Sequence, residues 1–362
     1  MKLTTESASP LLREYGISTG VTGINTYLDI QNDGDATILA RVDVKHRPPL
    51  MMKLSHDHEH PHELIEKRCC FAEHLRRNGV PTPERYSKGG EYCLSMSLDG
   101  EKVDVVLEDF AGEPLSVLDA DTARDAGMLL ARTHRLSFRD NCKLGVPSPF
   151  DALGKNPLSG LDKFVELSKK ALESQIKSVT YPHRLCKKPE ICGEILDICN
   201  RRFASARELW DRLPRGAVQG NLNLHNLTRR EGVLTLCDFG SSGDETLVGD
   251  MLLEGLRLVY FSPLADGLTD ASRLGLFEAF VAGYRHICPL THDERVVACE
   301  LYPVYNALML PRIASMNGRF PDSLEGVMAS GDCEKADEAL AAIYTLITED
   351  SRKIFASELF GN

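Results

Sequence analysis

The stretch Val218–Gly243, VQGNLNLHNLTRREGVLTLCDFGSSG, decides the fold. Arg229-Arg230-Glu231-Gly232 is a turn between two short apolar runs, Leu227-Thr228 and Val233–Cys237. A hairpin there sends the chain back on itself. It brings Asp238, at the end of the second strand, close to Asn226, at the start of the first. Two oxygen-bearing side chains then meet at one point. A hard cation such as Mg²⁺ takes oxygen ligands and commonly uses one or two protein groups, with phosphates and waters completing its shell. Gly220 and Gly240 flank this point and permit tight backbone turns.

Upstream of this segment the chain reads as strands with one helix. Asn25–Gln31 is β-prone and ends in the turn signal Asn32-Asp33-Gly34-Asp35, and Ala36–Lys45 returns. Leu50–Leu54 is a third strand and carries Lys53 in an apolar run, where an amine is costly unless paired. Glu63–Asn78 is helical, with Ile65, Cys69, Ala72 and Leu75 on one face, and Asn78-Gly79 stops it. Tyr92–Leu98 and Val103–Leu107 are two more strands around Asp99-Gly100. Beyond residue 115 the pattern turns helical: 122–136, 161–177, 194–213, 250–262, 270–286 and 292–309. Thr291-His292-Asp293-Glu294 has the form of a capping box at the last of these. Trp210 reads as core, and His134 as a hydrogen-bonded packing residue. Asp244, Glu245 and Glu254 read either as a solvated acidic surface or as groups facing a cationic substrate.

A net charge of −11 and a pI near 5.5 disfavour nucleic acid and anionic membrane as partners, since both demand a basic face. No apolar leader opens the chain and no apolar run reaches membrane-span length. Eleven cysteines without CxxC spacing read as reduced thiols, which together point to the cytoplasm. His56, His58, His60 and His62 alternate as transition-metal ligands would. Asp57, Glu59 and Pro61 between them favour a solvated loop.

The segment 218–243 resembles the catalytic and metal loops of the aminoglycoside phosphotransferase and choline kinase family, whose pattern is HGDxxxxN followed by DFG. Gly220, Asn226, Asp238, Phe239 and Gly240 match. The resemblance runs in order over residues 16–290. Gly20, Thr22 and Gly23 resemble the loop over the phosphates, and Lys53 the lysine on the α/β-phosphates. Glu66 resembles its ion-pair partner, with Glu63 and Glu73 as alternatives. Glu108, Asp109 and Phe110 resemble the adenine hinge, Asp250 an aspartate that buttresses the metal loop, and Phe280–Arg285 a helix of the substrate lobe.

The resemblance implies an α+β, two-lobed, protein-kinase-like fold with a small antiparallel-sheet N-lobe and a larger, mainly helical C-lobe. The lobes would span residues 1–108 and 116–362, with a hinge at 109–115 and the catalytic and metal loops at 217–243. It also implies ATP and Mg²⁺ as cofactors, Asn226 and Asp238 as metal ligands, and transfer of phosphate to a hydroxyl of a small polar molecule. The family's catalytic aspartate position holds Asn221, and its histidine position holds Gln219. An amide accepts a hydrogen bond but does not usefully take a proton. The chain therefore reads as a phosphotransferase of reduced activity, as an inactivated variant, or as a nucleotide-binding pseudokinase acting as scaffold or sensor.

Overall fold

The computed structural model describes residues 2–32, 35–56, 61–149, 153, 159–176, 184–261 and 268–356. His58 and His60 of the histidine run lie outside them. The chain forms two compact units. The first comprises Met1–Leu115 and His225–Ser242, the second Ser116–Leu224 and Gly243–Asn362. The hairpin segment thus groups with the N-terminal residues.

In the first unit, α1 (Thr5–Glu14) precedes β1 (Val21–Asn32), β2 (Asp35–Val44) and β3 (Leu50–His56). Helix α2 (His62–Arg77) and strands β4 (Cys93–Leu98) and β5 (Glu101–Asp109) follow. The antiparallel sheet has the order β1-β2-β3-β5-β4. Strand alternation puts Leu50, Met52 and Leu54 of β3 into the core with Ile38, Ala40 and Val42 of β2 and Val105 and Leu107 of β5. Lys53 therefore stands on the opposite face. Helix α1 was not expected from the sequence, because Pro10 and its polar residues blur its apolar stripe. Thr4 and Ser7 cap it reciprocally, and Ala8, Leu11 and Leu12 seal it to the core. Helix α2 ends where expected: Gly79 takes φ +85°, and the Val80 N–H returns to the Leu75 carbonyl.

In the second unit, α3 (Ala120–Arg139), α4 (Ser159–Ile176) and α5 (Glu190–Trp210) lead to β6 (Arg215–Val218). The chain then enters the first unit as a 3₁₀ turn, Leu224–Asn226, and the hairpin β7 (Leu227–Arg230) and β8 (Val233–Leu236). It returns as β9 (Gly243–Thr246), which pairs with β6. There follow α6 (Leu247–Tyr260), α7 (Asp270–Ile287), α8 (His292–Ala307), α9 (Leu310–Ile313), α10 (Leu324–Ala329), α11 (Cys333–Ile347) and α12 (Arg352–Phe355). The Thr291/Glu294 capping box opens α8 as expected, and Trp210 is buried. Among the described residues, no helix is long and apolar enough to cross a membrane.

Helices α3 and α7 cross through glycine. A Cβ on Gly127 would lie 2.0 Å from the Phe280 carbonyl oxygen, and one on Gly283 2.0 Å from that of Arg124. Backbone cannot yield at that distance without parting the helices. Gly283→Ala is expected to lower stability by about 1–3 kcal/mol, the usual cost of overpacking. Urea denaturation checks this, with Gly193→Ala, which meets nothing within 4 Å, as the helix control.

Candidate nucleotide and metal site

Strand β3 lifts Lys53 out of the apolar face, and the hairpin supplies its counter-charge. Leu227 pairs with Leu236, and one step beyond, the Cys237 N–H donates to the Asn226 carbonyl at 2.8 Å. The ladder thus ends with Asn226 and Asp238 at its open end, as the turn at 229–232 predicts. Asp238 takes φ +48°, its Oδ1 accepts the Gly240 N–H at 3.0 Å, and Lys53 Nζ stands 3.5 Å from the same oxygen. The lysine charge holds the Asp238 carboxyl below the usual range, against the opposing effect of burial. A Cβ on residue 240 would come within 2.7 Å of Lys53 Nζ, so glycine gives the amine its room.

The segment after Asp238 is fastened by α2 and the turn that follows it. Phe239 packs edge-on against Phe71 at 6.0 Å between centroids, and the Arg85 guanidinium lies 5.2 Å from its ring centre. Arg68 Nε donates to the Ser242 carbonyl at 2.9 Å, and the Leu236 N–H to that of Pro81. Arg85 also pairs with Glu108 at 2.9 Å, both nearly buried. Burial raises the Glu108 carboxyl, and Arg85 and Lys53 oppose that rise. Neither Arg68 nor Arg85 was singled out from the sequence. Arg68 stands just before the apolar Cys69–Phe71 of α2, a weak signal, and the polar neighbours of Arg85 gave none.

One sequence expectation falls elsewhere. Glu66 does not meet Lys53: its Oε2 accepts the N–H groups of Tyr92 and Cys93, at 2.9 and 2.7 Å, and so holds β4 to α2. Of the alternatives, Glu73 is spent on Arg76 and Arg77, and Glu63 is exposed. Helical spacing left three carboxylates in range, and only the docked helix chooses among them. Gly20, Thr22 and Gly23, which resemble a phosphate loop entering a strand, stand at the start of β1. Val21 and Gly23 pair with Val44 and Asp43, and Thr22 Oγ1 donates to the Asp43 carbonyl, so Thr22 and Gly23 lie in β1 and Gly20 just precedes it. Asn32 pairs with Asp35, in agreement with the turn signal expected there. Glycine and threonine suit a strand bulge as readily as a phosphate loop. At the hinge, the N–H groups of Asp109 and Phe110 already donate to the carbonyls of Glu84 and Pro49.

Asn221 lies in the second unit. Gly220 turns the chain at φ +75°, and the buried Gln219 accepts the Asn221 N–H at 2.9 Å. Asn221 Oδ1 accepts from Arg257 Nη2 at 2.9 Å and from Asn223 Nδ2 at 3.0 Å. Arg257 in turn stands 3.6 Å from Glu254, whose carboxylate accepts the Leu222 N–H. A single arginine in the apolar run Leu252–Tyr260 was the signal for Arg257 that sequence reasoning passed over.

The acids around this loop are mostly interior. Glu254 and Glu245 are buried, and Asp244 caps the N–H groups of Leu144 and Gly145. The expectation of a solvated acidic surface is corrected for Glu245 and Glu254, while Asp244 remains partly exposed. Asp250 bonds His134 Nε2 at 2.9 Å, and His134 Nδ1 meets the Tyr284 hydroxyl at 2.8 Å. Burial keeps that imidazole neutral, lowering its pKa to about 3, and burial raises both Asp250 and Glu254.

This fold, an antiparallel sheet with its helix followed by a mainly helical unit, is that of the protein-kinase-like small-molecule phosphotransferases. An amicoumacin kinase in complex with AMP-PNP, Ca²⁺ and Ami superposes with a TM-score of 0.59 at 12% identity, covering 92% of this chain and 91% of that one. A spectinomycin phosphotransferase in complex with ADP and spectinomycin gives 0.51 at 11% identity over 99% of both chains. A microcompartment-associated aminopropanol kinase gives 0.50 at 16%, covering 97% of this chain and 98% of that one. No protein-family model and no curated protein matches the sequence.

The raised Glu254 carboxyl sets a pH dependence. The folded state holds its proton above the ordinary glutamate value of about 4.3. Its contribution is complete below that value and is lost as pH rises. Glu254→Gln, which retains an acceptor for Leu222, is expected to gain stability relative to the parent as pH rises from about 4.5 to 8. Urea midpoints of both proteins across that range measure the difference.

Proposed function

We propose that the chain belongs to the aminoglycoside phosphotransferase and choline kinase family. In this reading it binds ATP with a divalent cation and transfers the γ-phosphate to a hydroxyl of a small polar molecule. The observation that carries it is the pairing of Lys53 with Asp238 at the open end of the β7–β8 hairpin beside Asn226. Residues 1–108 supply the nucleotide lobe and 109–115 the hinge. Residues 116–362 supply the substrate lobe, apart from the hairpin residues that pack with the first unit.

Lys53 binds the α/β-phosphates. Asn226 and Asp238 hold the cation: both donors are oxygen, and the lowered pKa keeps Asp238 ionised, which suits Mg²⁺. When bound, Mg²⁺ neutralises charge on the transferring phosphoryl group. Lys53, 3.5 Å from Asp238, would supply positive charge to the nucleotide phosphates. The hinge Glu108–Leu115 would hold the adenine through its backbone, where the N–H groups of Asp109 and Phe110 are already committed to Glu84 and Pro49. Asn221 orients the acceptor hydroxyl without taking its proton.

A second reading, a nucleotide-binding pseudokinase, is favoured by the same Asn221. Its amide oxygen is already held by Arg257 and Asn223. In Asn221→Asp, Arg257 would become the partner of a carboxylate and keep it ionised. General-base catalysis is worth about 10²–10⁴-fold, and an aspartate so paired belongs at the lower end. Asn221→Asp is therefore expected to raise phosphate transfer about 10²-fold on amino alcohols, sugars or aminoglycosides. No turnover on any of them, with nucleotide binding intact, decides for the pseudokinase. Thermal stabilisation by ATP·Mg²⁺ is expected in the parent and lost in Asp238→Ala. An unchanged shift removes Asp238 from the site.

A further inference from the structure

We propose that His62, Cys93 and Asp104 form a three-ligand site for a borderline-soft divalent cation of the Zn²⁺ type. It is separate from the residues assigned to nucleotide and Mg²⁺, and it does not depend on the kinase reading. The sheet register builds it. Ser95 of β4 pairs with Asp104 of β5, and Cys93 lies two residues from Ser95, so all three side chains share one face. Helix α2 begins over that face with His62, and Glu66, one turn on, ties the N–H groups of Tyr92 and Cys93.

The three ligand atoms lie within 4.8 Å of one another. His62 Nδ1 stands 2.8 Å from Asp104 Oδ1, 3.3 Å from Ser95 Oγ and 3.5 Å from Cys93 Sγ. Ser95 Oγ donates to the same Asp104 oxygen at 2.6 Å, so hydroxyl and imidazole converge on one carboxylate with the Cys93 sulfur beside them. A cation there would take imidazole, thiolate and carboxylate as its ligands. Bond lengths of about 2.3 Å to sulfur and 2.0–2.1 Å to nitrogen put tetrahedral S···N neighbours about 3.5 Å apart and N···O neighbours about 3.3 Å apart. The first separation is already present, the second needs an opening of about half an ångström, and the S···O pair, within 4.8 Å, must come to about 3.5 Å.

The donor set also matches the ion. Imidazole nitrogen, thiolate sulfur and carboxylate oxygen suit Zn²⁺ and disfavour Mg²⁺. Thiolate and carboxylate balance the double charge. Burial and the nearby Asp104 raise the Cys93 thiol, so entry of the cation must displace its proton to solvent. His62 and Asp104 remain partly exposed, which leaves a way in and a fourth position for water. Closing the site fastens the start of α2 to the edge strand β4.

The test uses the full chain, reduced and stripped with EDTA, and Co²⁺ as the probe. The parent is expected to bind about one equivalent with a sulfur-to-cobalt charge-transfer band, which about one equivalent of Zn²⁺ removes. Cys93→Ser should lose that band. His62→Gln, at a partly exposed position, should keep the fold and bind Co²⁺ about tenfold or more weakly. Three results overturn the proposal. They are no thiolate band in the parent, a band that survives Cys93→Ser, and unchanged affinity in His62→Gln. Cobalt bound without a sulfur band, as solvated loop histidines would bind it, counts as the first of these.

Discussion

The Lys53–Asp238 pair is the constraint around which the first unit is organised. An ammonium on a central strand needs a counter-charge nearby. The chain provides it from a hairpin remote in sequence, at a residue whose positive φ aims the carboxylate inward. A β-hairpin alone would not hold that geometry. Phe71, Arg85 and Arg68 fix the segment that follows, and Gly240 leaves space for the amine. The cost of ordering these groups is met by packing of α2, whose other attachments run to β4 through Glu66. One helix therefore serves two margins, the hairpin and the sheet edge.

The second unit solves a different electrostatic problem. Glu254, Asp250 and His134 are buried together, and such groups persist only if they are paired or neutral. Arg257 answers Glu254 and reaches Asn221, while Tyr284 and Asp250 complete the bonds of His134. The loop that carries Asn221 is held by this interior network rather than by solvent-facing contacts. An amide at position 221 suits its surroundings, since its oxygen accepts two donors while its charge stays zero. The family resemblance marks that position as the one where a base would stand. The local bonding explains how the fold tolerates asparagine there.

Much of this was legible in the sequence, for reasons that can be named. The hairpin followed from a four-residue turn between apolar runs. The sheet followed from alternation, the end of α2 from Asn78-Gly79, and the start of α8 from a capping box whose two residues, Thr291 and Glu294, sit within one helical turn. These are local signals, decided within a few residues. What misled was equally local in form. Gly20, Thr22 and Gly23 have a loop composition, but Thr22 and Gly23 lie in β1, where the strand pairs with Asp43 and Val44, and Gly20 just precedes it. Glu66 has a suitable helical position, but its carboxylate is captured by two backbone N–H groups that no one-dimensional pattern reveals.

The sequence by itself determined the order of the sheet strands, of α2 and of the helices from α3 to α8, the placing of Asn226 and Asp238 at one end of the hairpin, and the absence of an acid at position 221. These depend on residue identity and short spacing, which folding cannot alter. The tertiary structure alone decided which partner Lys53 takes, which arginines close the interior, and which acids are buried rather than solvated. Those outcomes depend on the competition among donors and acceptors once strands and helices are docked. It also decided that His62, Cys93 and Asp104 converge, because a helix start and two strands must be brought together before their side chains share a point.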